Sequence, residues 1–295
     1  MTHLLALFGV LSISFSAVFI RLARVSPVTA TFYRAVYALP VLAAVWWAGR
    51  AADDRTGRDR LLAFASGLGL AADLNLWHES IALVGAGLGT VIPNVQIVFI
   101  ALFGWLRHAE RPRWSTLAMI GVVLAGVTLT SGLGQEGAYG TRPVQGVLLG
   151  VAAGFCYSVY LIVFRASNRR LVPPAGPLFD ATLGMGFGAL LSIGLDAQFT
   201  FAVSATAHWW LLALAIISQV IGWLFIGTAL PRLPAIATSV MLLIQPVFAI
   251  VWGLVIFDER LSAAQWLGSA IVLAGVAILS IEMTRQTPLP ASRRA

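Results

Sequence analysis

Apolar runs of membrane-spanning length follow one another along the chain, with little polar sequence between them. A transmembrane helix needs about twenty mainly apolar residues, because each adds only about 1.5 Å of rise. By that measure spans fall near 4–22, 27–48, 61–84, 86–106 and 114–132, and again near 144–165, 174–195, 207–230, 234–257 and 262–282. Only 11% of the residues are charged, and mean hydropathy is +0.88. The expectation is an all-α integral membrane protein with ten transmembrane helices. The longest connections, 49–60 and 133–143, are too short to hold a soluble domain, so any function must be carried out within the helices. Met1–Ile20 has no basic segment ahead of its apolar stretch, and we read it as the first span and not as a cleaved leader.

The sequence also repeats. Leu124-Ala125-Gly126-Val127 recurs as Leu273-Ala274-Gly275-Val276, Glu110-Arg111 as Glu259-Arg260, and Gln96 as Gln245, all at an offset of 149. Weaker echoes pair Gly9-Val10 with Gly150-Val151 and Arg24 with Arg165. Five spans is an odd number, so the second half must enter the membrane from the opposite side. The expected organisation is two inverted five-helix repeats, 1–132 and 144–284, with a linker at 133–143 and a disordered cytoplasmic tail at 285–295. Many secondary transporters are built in this way, with the substrate site near the midplane where the halves meet.

Charge placement sets the expected orientation. Of nineteen arginines, fourteen fall on the side holding both termini, four (Arg21, Arg24, Arg142, Arg260) fall on the other, and Arg34 lies within a span. The positive-inside rule then puts both termini in the cytoplasm. The net charge of +7 therefore points to the lipid surface and not to nucleic acid. The absence of lysine excludes a Schiff-base lysine and a phosphate-loop lysine, and with the latter an ATP-driven pump built on this chain alone. The single cysteine, Cys156, rules out an intrachain disulfide and reads as a buried small hydrophobe. Trp46, Trp47, Trp105, Trp114, Trp209, Trp210 and Trp266 fall near span ends, as an aromatic belt requires, while Trp77, Trp223 and Trp252 lie deeper.

The stretch Ala71–Ser80 places Asp73, Asn75, His78 and Glu79 inside an apolar span, where an ionisable group costs about 2.5–3.5 kcal/mol. At about 100° per residue, Asn75, His78 and Glu79 share a face with Gly67, Ala71 and Ala82, whereas Asp73 points the other way beside Trp77 and Ser80. That shared face either lines a wet cavity or forms an interhelical hydrogen-bond cluster. Pro93, beside Asn94 and Gln96, and Pro246, beside Gln245, interrupt corresponding spans of the two halves and are candidate hinges. Trp77, Tyr157, Tyr160 and Trp223 are candidate walls for an aromatic or apolar ligand, with Gln219 one turn from Trp223. Arg34 and Glu79 either pair with each other or receive the charges of a substrate between them, and Asp180 lies near enough to a span end to be solvated. His78-Glu79 begins the zinc-protease spelling His-Glu-x-x-His, but position 82 is alanine, and no Gly-x-Ser-x-Gly occurs. An enzyme is therefore not expected, and no cofactor or metal is implied. The few, clustered polar groups also argue against the continuous polar lining of a passive channel.

Gly253-Leu254-Val255-Ile256-Phe257-Asp258-Glu259-Arg260-Leu261, with Gln265-Trp266-Leu267-Gly268 and Leu273-Ala274-Gly275-Val276, resembles the end of an EamA repeat of the drug/metabolite transporter superfamily. Glu110-Arg111-Pro112 with Leu124-Ala125-Gly126-Val127 resembles the same element in the first repeat, and Phe32-Tyr33-Arg34 with Ala38 resembles the family's second-helix pattern. The second repeat departs from that pattern, since Asp180 and Ala181 align with Tyr33 and Arg34. Within the superfamily, Asn75-Leu76-Trp77-His78-Glu79 most resembles the YddG-type exporters of aromatic amino acids. The resemblance implies ten helices as two EamA repeats, a central cavity, and export of amino acids across the bacterial inner membrane by a monomer or dimer. The alternative within the superfamily is export of cationic drugs or other small metabolites.

Overall fold

The computed structural model describes residues 2–108, 114–132, 137–168, 172–229, 232–233 and 235–286. The Glu110-Arg111-Pro112 motif, the core of the linker at 133–136, the end of the tail from 287, and Arg111, Arg113, Arg169, Arg170, Arg293 and Arg294 lie outside these residues. The described chain is helical, with no strand among the described residues.

In chain order, α1 (Thr2–Ala23), with a one-residue break at Phe15, leads to α2 (Pro27–Gly49). Ser26 caps α2 by accepting from the Thr29 N–H, and Pro27 supplies the preset backbone of a first helical residue. The long helix α3 (Gly57–Val91) begins four residues ahead of the apolar run because Thr56 and Asp59 form a reciprocal capping box. A tight turn at Ile92–Val95 passes the chain into α4 (Gln96–His108), and α5 (Trp114–Thr130) completes the first half. The second half comprises α6 (Pro143–Ser167), α7 (Ala175–Ser192), α8 (Ala205–Ala229), α9 (Ala235–Phe257) and α10 (Ala263–Gln286).

Seven helical stretches are long and apolar enough to cross a membrane, and Trp114–Thr130 and Met241–Phe257 are shorter apolar helices. One of the seven, Gly57–Leu106, runs for 50 residues, about 75 Å if straight and far beyond a hydrocarbon core of about 30 Å. Its sharpest break lies at Gly85, whose φ of 87° and ψ of 172° suit a residue with no side chain. Proline marks the second interruption only: Pro93 lies in the Ile92–Val95 turn, whereas Pro246 is buried inside an unbroken α9.

Helix contacts follow the small residues. An added Cβ at Gly67 would come within 2.0 Å of the Ala181 carbonyl oxygen, and one at Gly184 within 1.9 Å of the Phe64 oxygen, so α3 and α7 touch nearly backbone to backbone. Between α5 and α10 the contacts are reciprocal. Gly126 faces Gly268, Ile271 and Val272, while Gly275 faces Met119, Val122 and Val123, each the residue 149 positions away. Residue numbers rise on one helix as they fall on the other, so the two run antiparallel, and a contact in which i meets j as j meets i is the mark of a two-fold relation.

Both ends of the bundle are tied by charge. At one end Glu259, 1% exposed, accepts from the Ala86 N–H at 2.6 Å and the Gly87 N–H at 3.0 Å and pairs with Arg21, whose guanidinium lies 3.9 Å from the centre of the Phe257 ring. The carboxylate thus sits on the N-terminus of the helix that restarts after Gly85. The Tyr139 phenol beside it is pushed above its ordinary value by burial and by the Glu259 charge. At the other end Asp180 is not solvated as the sequence suggested but buried, 3.0 Å from Arg55 and 3.3 Å from Arg60. Asp53 joins this cluster, accepting from Arg55 and from the Trp46 indole at 2.8 Å, and the Arg55 hydrogen bond is the main cause that holds its carboxyl down at about 2. Trp46, stacked on Phe179, and Trp210, stacked on Phe19, therefore turn inward and do not serve a lipid belt, unlike the exposed Trp47, Trp105, Trp114, Trp209 and Trp266. Cys156 is half-buried, not fully enclosed.

Candidate functional site

A cavity of about 220 Å³ lies between the two halves. From α3 it receives Leu70, Asp73, Leu74 and Trp77, residues spaced three and four apart on one stripe of the helix. Thr90, Pro93, Asn94 and Gln96 enter from the broken segment between α3 and α4. Ile13 and Ser16 of α1 and Arg34 of α2 complete the first half's share. The second half contributes Tyr157 and Leu161 of α6, Trp223 and Ile226 of α8, and Leu242 and Gln245 of α9.

The structure therefore brings together Arg34, Trp77, Pro93, Asn94, Gln96, Tyr157, Trp223 and Gln245 from the residues singled out by sequence. It does not bring Asn75, His78, Glu79, Tyr160 or Gln219 to this lining. Within α3, Asp73 and Trp77 look into the cavity, while Gly67 and Ala71 serve helix packing against α7, which accords with the interhelical alternative for their face. His78 is buried and its ring Nδ1 lies 3.3 Å from the Pro27 carbonyl oxygen, which ties α3 to the start of α2. Glu79 is half-buried and does not pair with Arg34, whose Nε instead donates to Gln219 Oε1 at 2.8 Å. Gln219 is fully buried and donates onward to Thr182 Oγ1 at 3.1 Å. It lies in a π-helical stretch, Leu214–Gly222, a rare form that re-aims side chains within a helix. Tyr160 stands behind the wall, stacked on Tyr157 at 5.6 Å and edge-on to Trp223 at 6.3 Å.

Polar demand around the cavity is incompletely met. Ser16 Oγ, Arg34 Nη1 and Gln96 Oε1 are buried without a hydrogen-bond partner among the described residues, and all three residues line the cavity. Asp73, 7% exposed, makes no hydrogen bond or ion pair among the described residues. Buried polar groups are ordinarily satisfied; Asn75 Oδ1, His78 Nε2 and the Tyr160 hydroxyl, off this lining, are unmet as well, and the set that faces the cavity with Asp73 fits a site that completes itself with a polar ligand. Asn94 is the exception, since its Nδ2 caps the helix break by donating to Thr90 and Val91 carbonyls at 2.9 and 3.1 Å. Asp73, Thr90 and Ser16 are the polar lining residues that sequence reasoning missed, beside apolar ones such as Leu70 and Leu74; for Asp73 the signal was present in its helical register with Trp77. The described residues hold no cluster of three or more His, Cys, Asp or Glu side chains that could bind a metal.

Several known proteins are similar to this chain. An uncharacterized transporter of Archaeoglobus fulgidus is 25% identical over 93% of this chain and 96% of its own length. The threonine/homoserine exporter RhtA of Escherichia coli is 27% identical over 68% of this chain and 64% of its own length. Among solved structures, one crystal structure superposes with a TM-score of 0.64 at 19% identity, covering 95% of this chain and 98% of the other, a likeness of fold. The model of the EamA-like transporter family matches residues 1–132 and 144–281, which separates the same two halves as the internal repeat. The chain is thus a multi-pass membrane protein, and it belongs to the EamA-like transporter family.

Proposed function

We propose that this protein is a secondary transporter that exports amino acids, chiefly those with apolar or aromatic side chains, by alternating access across the bacterial inner membrane. The observation that carries the reading is the cavity between the halves, whose apolar walls meet a set of unsatisfied polar atoms. Trp77, Tyr157 and Trp223 offer flat apolar surface for a side chain, and Arg34 and Asp73 supply charge. At about 220 Å³ the cavity is smaller than the roughly 300–1,000 Å³ pockets of drug-sized ligands, which favours a small metabolite over a bulky drug.

In this reading the chain crosses the membrane ten times as two inverted five-helix repeats, 1–132 and 144–284, with both termini cytoplasmic. The breaks at Gly85 and Ile92–Val95 divide the 50-residue stretch into two crossings. Rocking of one half against the other, with Pro93 and Pro246 as hinges, would expose the cavity to each side in turn. A second reading, export of a small hydroxy amino acid, is favoured by the name of the Escherichia coli relative, a threonine/homoserine exporter.

Counterflow separates these readings. Proteoliposomes preloaded with unlabelled phenylalanine should accumulate labelled phenylalanine with pH and voltage gradients collapsed, and Trp223→Ala should reduce that accumulation. Exchange of threonine alone would favour the second reading. Exchange of organic cations without any amino acid would discard both.

A further inference from the structure

We infer that the cavity selects its substrate by two unlike charges, with Asp73 taking an ammonium and Arg34 a carboxylate, so that the transported class is the free amino-acid zwitterion. The inference rests on the carrier reading above and narrows it. Asp73 comes from α3 and Arg34 from α2, both line the cavity, and they are 7% and 3% exposed. Each is close enough to feel the other's field. Yet they form no ion pair with each other or with any other side chain among the described residues. Buried ionisable groups that remain apart are costly, and a ligand that brings the opposite charge to each relieves that cost. A molecule carrying both charges satisfies both at once. A cation without a carboxylate would leave Arg34 uncompensated, and an anion without an amine would leave Asp73 so.

The surroundings keep the two charges distinct. Arg34 is held through Nε by Gln219, itself anchored on Thr182, which leaves Nη1 without a partner. A planar guanidinium fixed in this way presents a preset edge to a carboxylate. Gln219 is then a positioning residue and not a substrate contact. Across the site, the titratable neighbours of Asp73 other than Arg34 are Cys156, Tyr157 and Tyr160, all from α6 and none a cation. Asp73 therefore lacks any fixed counter-ion in contact, which suits it to an ammonium that arrives and leaves.

The test uses competition against counterflow in proteoliposomes, with labelled phenylalanine or threonine, whichever exchanges. The competitors share that amino acid's side chain: the free amino acid, its N-acetyl derivative, its amide, and the decarboxylated amine. In the wild type each derivative should compete roughly ten- to hundredfold more weakly than the free amino acid, the loss expected for one charged hydrogen-bonding partner. Asp73→Asn should erase most of the penalty for N-acetylation and keep that for the amide. Gln219→Leu should do the reverse, narrowing the difference between acid and amide while leaving the amine requirement intact, a split that a merely structural role would not produce. If the variants fail to fold, the wild-type competitors still decide. Competition by the amide and the N-acetyl compound as strong as that by the free amino acid, with its exchange intact, would overturn the zwitterion site and leave the carrier standing. Absence of exchange for both amino acids would overturn both.

Discussion

Glu259 and Asp73 are both buried carboxylates in a membrane protein, and their surroundings give them different work. Glu259 is saturated by two backbone N–H groups and Arg21. Asp73 has no hydrogen bond or ion pair among the described residues. Glu259→Ala, which strands Arg21 and two N–H donors, should destabilise by ~3–5 kcal/mol, measured by unfolding in detergent. Asp73→Asn, which replaces a buried carboxyl that has no partner among the described residues by a neutral group of the same shape, should melt at or above the wild-type temperature when no substrate is added. A melting temperature lowered as far as that of Glu259→Ala would show that Asp73 is structural. Asp53 supports a prediction outside the spans. Its folded value is depressed from 3.8 to about 2, so its contribution is complete above that ordinary value and is lost as the pH falls through about 2. Asp53→Asn should flatten the part of the acid-side stability loss that occurs in that window, measured by melting temperature against pH.

At the scale of elements, the segment after Gly85 joins the Glu259–Arg21 tie to the cavity. Glu259 holds its first N–H groups, Thr90 one turn on lines the cavity, and Asn94 closes its end. The position of this break was legible, since residue 85 falls between the spans 61–84 and 86–106, but its partner was not, because the carboxylate lies 174 residues away. The prolines were legible, but only Pro93 falls at an interruption. The sequence left the face of Gly67 and Ala71 open between a wet cavity and interhelical contact, and small residues in membrane helices mark close backbone contact, here with α7. His78 follows them into packing, and Asp73, with Trp77 one turn on, takes the cavity side. Gly184→Ala, whose Cβ would meet the Phe64 carbonyl at 1.9 Å, should cost about 1–3 kcal/mol of stability. Gly121→Ala, with no atom within 4 Å of the added carbon, should be neutral or slightly stabilising in the same unfolding measurement.

For the whole molecule, the helical architecture and the two halves were readable because lipid imposes a length on every span and because the offset of 149 is written in identical residues. The reciprocal contact of Gly126 and Gly275 is where that repeat becomes a physical relation between helices. The site was readable by residue type, as Arg34, Trp77, Gln96, Tyr157, Trp223 and Gln245 meet at one cavity, but not by which side chains would find partners within the protein. Gln219 was absorbed by Arg34, and Glu79 and His78 stayed out of the lining. We propose that the Asp73 stripe of α3, and not the His78 face, borders the substrate path. Replacing the single native cysteine by Cys156→Ser gives a clean background in which one cysteine at a time can be placed at Leu74, Gln96, Asn75 or His78. The account predicts that a water-soluble thiol reagent modifies the cysteines at Leu74 and Gln96 in membranes, and that transported amino acid protects both, while those at Asn75 and His78 stay unmodified. Substrate-protected modification at Asn75 and His78, with Leu74 and Gln96 unreactive, would contradict it.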